Sequence, residues 1–359
     1  ISDGYDMDVF SSTDYNNGYQ EDAGFMPWVS LNADGGEGLN IGVVWSDCRA
    51  HVYGTGSDGV YIEAGLRPRF ETEIPAGETF YIPESFVDAY AGGVDDGSNQ
   101  LKSWLFAFNM PEVNRLDDSL PSFEFNLWEL LDEERRSWRM SDSKFYTGVH
   151  QLAEMGIDEI TIDTYWWKDI GDWRGVHEKW QSSITYSSDF VNALGMNFSL
   201  YMQAGNGSSL HTDAMTGIGI NGNPNWFATG ENKIWDELCI ADSDARAFLS
   251  EYLKSYFMEL GLDGIRTDFG YILGYCGKEG HDHIDNRADV GYWTSLYVYQ
   301  LFEEMYKLFP APSDVNGDSE AHYFKWENCN CGGTLKDFAS MKYATRIQTT
   351  DAYDPINVR

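Results

Sequence analysis

The residues with chemistry to offer stand just after short apolar runs: Asp163, Gln203, Asp268, Cys329 and Asp351. A carboxylate at a strand end can cap the helix that follows, because its oxygens accept from the free N–H groups of the first turn. It can equally face a pocket built where such loops converge. Asp268 lies in Arg266-Thr-Asp-Phe-Gly270 and Asp351 in Thr350-Asp-Ala-Tyr-Asp354, aromatic settings that favour the pocket. Two carboxylates across one pocket suit displacement at an acetal carbon, as in glycoside hydrolysis. One attacks, while the other protonates the leaving oxygen and then activates water. The attacker must be ionised, which a cationic neighbour such as Arg266 promotes. Its partner must hold a proton near working pH, which requires partial burial or the attacker's negative field. Residue types alone carry the inference as far as an α/β enzyme with acid/base chemistry.

The elements that must position these groups follow from hydrophobic period. Short apolar runs at 123–127, 159–162, 197–201, 264–266, 323–326 and 346–349 alternate with helical stretches at 143–155, 187–194, 244–260, 292–308 and 335–343. Strands alternating with helices predict βαβ units and a parallel sheet. Before residue 120 the pattern differs: Gly-rich turns separate short strands expected at 41–46, 60–64, 69–74 and 78–82, after a loop over the first 35 residues. The chain thus divides into 1–120, antiparallel β-sandwich, and 121–359, α/β, with a linker expected over Pro111–Pro121.

Composition narrows the partners. The 359 residues carry 24 Lys+Arg against 58 Asp+Glu, a net charge of −34 that repels phosphate backbones and anionic membranes. Thirteen Trp, 22 Tyr and 20 Phe are too many aromatics for a disordered chain. They suit stacking on the C–H faces of sugars, and no apolar run is long enough to span a bilayer. The expected partner is a carbohydrate, with no nucleic acid and no membrane. Homo-oligomerisation stays open, and high acidity leans toward a secreted or cell-surface protein over a cytoplasmic one. The five cysteines, Cys48, Cys239, Cys276, Cys329 and Cys331, are too scattered for a disulfide framework.

Six segments in order resemble glycoside hydrolase family 36, the clan of α-galactosidases and α-N-acetylgalactosaminidases. They are Asn126-Leu-Trp-Glu129, Ile162-Asp-Thr-Tyr-Trp-Trp167 with Gly171-Asp-Trp173, Phe198-Ser-Leu-Tyr-Met-Gln203, Leu262-Asp-Gly-Ile-Arg-Thr-Asp268, Glu327-Asn-Cys-Asn-Cys-Gly-Gly333 with Asp337, and Ile347-Gln-Thr-Thr-Asp-Ala-Tyr-Asp354. The resemblance implies a β-sandwich followed by a (β/α)8 TIM barrel, with barrel strands seven and eight beyond Arg359 and the front of the sandwich before Ile1. It implies Asp268 as nucleophile and Asp351 as acid/base of a retaining exo-α-glycosidase. The substrate it implies is terminal α-galactose or a 2-amino or 2-acetamido relative. Transglycosylation and a decayed sugar-binding protein are the alternatives. It places Asp163, Thr164, Trp166, Tyr201, Arg266, Cys329, Gly332, Asp337 and Asp354 at the sugar.

Departures from the family pattern cluster in that pocket. Thr164 replaces the second of a paired Asp, Arg266 a Lys, and Tyr201 a Trp. Cys329 and Gly332 match positions near the sugar's C2 substituent. Retained carboxylates with altered contacts suggest the same chemistry on a modified sugar. No cofactor and no metal are called for. His281-Asp-His283-Ile-Asp285 has metal-compatible spacing but is read as a polar loop, and Asp314–Glu320 as a connector that lacks the Gly and final Glu of a calcium loop.

Overall fold

The computed structural model describes residues 5–10, 26–33, 35–46, 48–55, 59–66, 70–116, 122–132, 137–138, 142–164, 166–169, 172–176, 183–202, 226–228, 238–268, 276, 280–283, 290–309, 324–329 and 336–348. The chain divides into two compact units: Ile1–Pro111, Ile284–Tyr299 and Asn328–Arg359 in one, Glu112–His283 and Gln300–Glu327 in the other.

The first unit holds β1 (Tyr5–Phe10), β2 (Trp28–Ala33), β3 (Glu37–Val43), β4 (Cys48–Thr55), β5 (Gly59–Leu66), β6 (Ser85–Ala91) and α1 (Val94–Trp104). They form two antiparallel sheets, ordered β1-β4-β5 and β2-β3-β6. Alternate side chains meet between them: Val29 and Ile41 from one sheet, Ala50 and Val52 from the other, flanked by Leu31 and Ile62. The expected loop over the first 35 residues is corrected, since β1 and β2 lie within it. Val29 and Leu31 alternate with Trp28 and Ser30, a strand signal obscured by the surrounding Asp, Asn and Gly. The strands expected at 69–74 and 78–82 are also corrected: no strand occurs among residues 70–84, where Pro75, Gly77 and Pro83 interrupt any ladder.

Chain order continues with α2 (Val113–Leu116), inside the expected linker, then β7 (Glu124–Asn126), β8 (Leu131–Asp132), β9 (Ser137–Trp138), α3 (Asp142–Glu154), β10 (Glu159–Ile162), β11 (Trp167–Asp169), β12 (Asp172–Val176), α4 (Ile184–Ala193), β13 (Asn197–Met202), α5 (Ser243–Leu260), β14 (Gly264–Thr267), α6 (Val290–Lys307), β15 (Trp326–Asn328) and β16 (Arg346–Ile347). Six of the strands form one sheet in the order β7-β10-β13-β14-β15-β16, so spatial order follows sequence order. The pairs β7/β10, β10/β13 and β13/β14 are parallel. Helices α3 to α6 cross between successive strands, which is the repeat of a (β/α) barrel, and the sheet curls as a half-barrel. The helix expected at 335–343 reduces, among described residues, to a single 3-10 turn at Ser340–Lys342.

α5 shows how the sequence sets these crossovers. Asp242 accepts from the Ala245 N–H (3.0 Å) and caps the start. Ala245, Phe248, Leu249, Tyr252, Leu253, Tyr256 and Phe257 recur at helical spacing and are buried. Gly261, at φ 64° and ψ 45°, ends the helix in the left-handed conformation and turns the chain into β14.

At the N-terminal end of the half-barrel, Glu159 is 1% exposed and accepts from Ser199 Oγ (2.6 Å) and Ser122 Oγ (3.0 Å). Gly264 completes this layer, because a Cβ there would stand 2.5 Å from Ser199 Oγ. Gly264→Ala should therefore displace that hydroxyl from Glu159 and lower unfolding stability by about 1–3 kcal/mol. In urea denaturation the double variant Ser199→Ala/Gly264→Ala should lose less than the sum of the single losses, because the clash has gone. Strict additivity would show that the two positions do not interact.

Candidate active site

The C-terminal strand ends gather charge inside an apolar layer. All four residues of β14, Gly264-Ile-Arg-Thr267, are buried, and so are all three of β15, Trp326-Glu-Asn328. Two-residue alternation sorts them. Thr267 Oγ1 accepts from the Trp326 indole (2.6 Å) on one face, while Arg266 pairs with Glu327 on the other. The same alternation puts Asp268, half-buried and one residue past β14, on the Arg266 face, about 6–7 Å further along the strand.

Arg266 is the centre of the arrangement. Its Nε lies 3.2 Å from Asp163 Oδ2, and its Nη1 donates to Glu327 Oε1. Asp163, one residue past β10, accepts from Asn126 Nδ2 (2.8 Å) and from the Thr164 N–H (2.7 Å). The side chains of Asp163, Arg266 and Glu327 are 4%, 10% and 8% exposed, too dry for any of them to ionise alone at low cost. Burial pushes the Asp163 carboxyl above its ordinary range, opposed by the Arg266 guanidinium, the Thr164 N–H and the Asn126 amide. A planar fork serves two carboxylates in different directions, whereas an ammonium is a single point charge. That geometry suits arginine at position 266.

Around this cluster the aromatics pack closely. Trp166 is fully buried, its indole N–H donating to the Tyr201 carbonyl (2.8 Å). Trp167, opening the β11–β12 hairpin, stacks on the Tyr201 ring at 5.6 Å and meets Trp166 edge-on at 5.9 Å. Tyr201 also pairs in register with Arg266 across β13 and β14. Trp166 thus supports Tyr201 from within the protein and presents no open ring face.

The structure therefore brings together five of the expected site residues, Asp163, Thr164, Trp166, Tyr201 and Arg266, with Asp268 beyond them. Cys329 is buried one residue past β15. Asp337 has no exposed surface. Its Oδ2 accepts from Ser46 Oγ and from the Tyr299 hydroxyl (2.7 Å), and its Oδ1 from the Ser340 N–H (2.6 Å). With both oxygens engaged by protein donors, Asp337 anchors its own loop and does not face a ligand. Gly332, Asp351 and Asp354 lie outside the described residues. Asn126 and Glu327 joined the site although neither was expected there. The signal for Glu327 was a carboxylate directly after the short run 323–326.

Comparisons with known proteins come from both sequence and fold. The melibiase family model matches residues 138–359. The chain is 22% identical over 293 residues to a protein of Flavonifractor plautii described as an A type blood alpha-D-galactosamine galactosaminidase, a match covering 77% of this chain and 25% of that protein. Among solved structures it resembles an alpha-galactosidase from Lactobacillus brevis (TM-score 0.72, 18% identity, 100% of this chain and 46% of that one). It also resembles a GH36 alpha-galactosidase from Geobacillus stearothermophilus in complex with stachyose (TM-score 0.74, 17% identity, 99% and 48%). The chain spans a quarter of the curated relative's length and just under half of those structures.

The ionic cluster makes a pH-dependent prediction. Arg266→Met should cost about 3–5 kcal/mol near neutral pH, because two buried carboxylates then face each other uncompensated. Removing the cation raises the folded-state pKa of Asp163 further above its unfolded value. The charged carboxylate then penalises the fold above the new pKa, and protonation relieves that penalty as pH falls toward the unfolded value. The stability gap from wild type should thus be widest at neutral pH and narrow toward pH 4 in denaturant titrations. A gap independent of pH would remove the electrostatic role assigned to Arg266.

Proposed function

The chain belongs to the melibiase family, glycoside hydrolase family 36, and on that premise we propose that it is the catalytic part of a retaining exo-α-glycosidase. The substrates are terminal α-linked galactose or its 2-amino or 2-acetamido derivatives. Asp268 is the nucleophile and Asp351 the acid/base. The observation that carries this reading is the position of Asp268: half-buried past the C-terminal end of β14, on the face where Asp163 and Glu327 fix Arg266. Barrel enzymes do their chemistry at that end, where strand-end side chains converge under the βα loops.

In the first step an Asp268 oxygen bonds to the anomeric carbon as the bond to the leaving oxygen breaks and Asp351 gives that oxygen its proton. In the second, Asp351 takes a proton from water, the hydroxide oxygen bonds to the same carbon, and the Asp268 ester bond breaks. Two inversions leave net retention. The Arg266 guanidinium, fixed by two carboxylates, stands two residues before Asp268 on the same strand face. Within the sugar pocket, Thr164 stands where a second carboxylate would accept from a galactose hydroxyl, so recognition there rests on weaker neutral contacts. The Flavonifractor relative's described action on galactosamine supports extending the substrate range to a 2-amino sugar.

Asp268→Ala in the full-length protein should lower kcat/KM on aryl α-galactosides by about 10^4-fold. A 2-fluoro galactosyl reagent should leave an adduct on the peptide containing Asp268, and NMR of early product should show the α anomer. First-formed β anomer would indicate inversion, and a near-normal rate in the alanine variant would remove Asp268 from the mechanism. Rates on aryl α-glycosides of galactose, N-acetylgalactosamine, galactosamine and glucose would rank the sugars.

A further inference from the structure

Away from the strand-end cluster, four potential metal ligands from separate parts of the chain meet at one point. They are Cys239, just before α5, Cys276, eight residues after Asp268, and His281 and His283 on the turn that follows. Their Sγ, Sγ, Nδ1 and Nε2 atoms all lie within 4.8 Å of one another, and both cysteines are buried. The individual separations are 3.2 Å for Cys239 Sγ to His283 Nε2, 3.4 Å for Cys276 Sγ to His281 Nδ1, and 3.2 Å between the two imidazole nitrogens.

These distances match the edges of a coordination tetrahedron. With Zn–S near 2.3 Å and Zn–N near 2.0–2.1 Å, the N···N edge is about 3.3 Å and the N···S edge about 3.5 Å. Charge is balanced as well, since two thiolates neutralise a divalent cation and two neutral imidazoles complete the shell. We propose that Cys239, Cys276, His281 and His283 form a structural Zn2+ site.

The surrounding backbone holds the ligands in place. Cys239 N–H donates to the Trp226 carbonyl (2.8 Å), beside the Phe227–Leu238 bridge, and the Cys239 carbonyl accepts from the Asp242 N–H (3.0 Å). Asp282, between the two histidines, accepts from the Ser243 N–H (2.8 Å) and hydroxyl at the start of α5. Four protein ligands leave no open coordination position, so the cation cross-links two segments of chain and activates no water. Cys239 precedes α5 and Cys276 follows β14, so the tie closes a loop of chain that contains α5, β14 and Asp268. The H-x-H motif is thereby assigned its ligands. Its sequence partner Asp285 lies outside the described residues, and the two buried thiols complete the set instead. The site stands independently of the glycosidase reading.

The test is metal analysis of the full-length protein, purified without chelator and again after stripping and reloading with Zn2+. About one Zn2+ per chain is expected, falling below about a tenth in Cys276→Ser and in His283→Gln. Co2+ loaded in place of zinc should give the intense visible bands of a tetrahedral thiolate site together with a sulfur-to-cobalt charge-transfer band. That spectrum on wild-type protein decides the matter if the variants do not fold. Any of three results would overturn the site: sub-stoichiometric zinc after reloading, a pale octahedral cobalt spectrum, or a Cys239–Cys276 disulfide found by alkylation mass spectrometry in the isolated protein.

Discussion

A guanidinium held between two carboxylates in a nearly dry layer is the constraint on which the strand-end arrangement depends. Asp163, Arg266 and Glu327 come from three strand ends, and each would be costly to bury alone. Their mutual satisfaction therefore requires β10, β14 and β15 to keep one register relative to each other. A slip of one residue would turn Arg266 to the opposite face, among the side chains that surround Thr267 and Trp326. The cluster is in this sense a register lock as well as an electrostatic device.

The same sheet places very different chemistry at its two ends. At the N-terminal end Glu159 is closed off by two serine hydroxyls, and Gly264 gives up its side chain so that Ser199 can reach it. At the C-terminal end Arg266 stands on the same strand face as Gly264, and Asp268 follows where the backbone leaves the ladder. Strand alternation links the two: a residue small enough for the lower layer, a cation two positions on, a carboxylate two positions further. Asp337 shows the contrasting use of a buried acid. It accepts from Ser46, Tyr299 and Ser340 and serves to fix a loop.

Much of the barrel was legible because its signal is local. The run 159–162 is β10 residue for residue, and α3, α5 and α6 fall within two residues of their expected bounds. Period, caps and glycine stops are written into short windows of chain. The sandwich half was harder to read. β1 and β2 alternate too weakly among Asp and Asn, and the segment from 70 to 84 has strand composition but is broken by proline and glycine.

By itself the sequence determined the succession of strands and helices, the likeness to a family of α-galactosidases, and the placement of Asp163, Arg266 and Asp268 at strand ends. Each of those depends on neighbours along the chain or on short motifs. Tertiary structure alone decided that Glu327 and Asn126 join Arg266 and Asp163, and that Trp166 and Asp337 turn inward. It alone brought Cys239 within reach of His283. Such pairings join residues tens to hundreds of positions apart, and their partners are chosen by sheet register and packing, which no window of sequence contains.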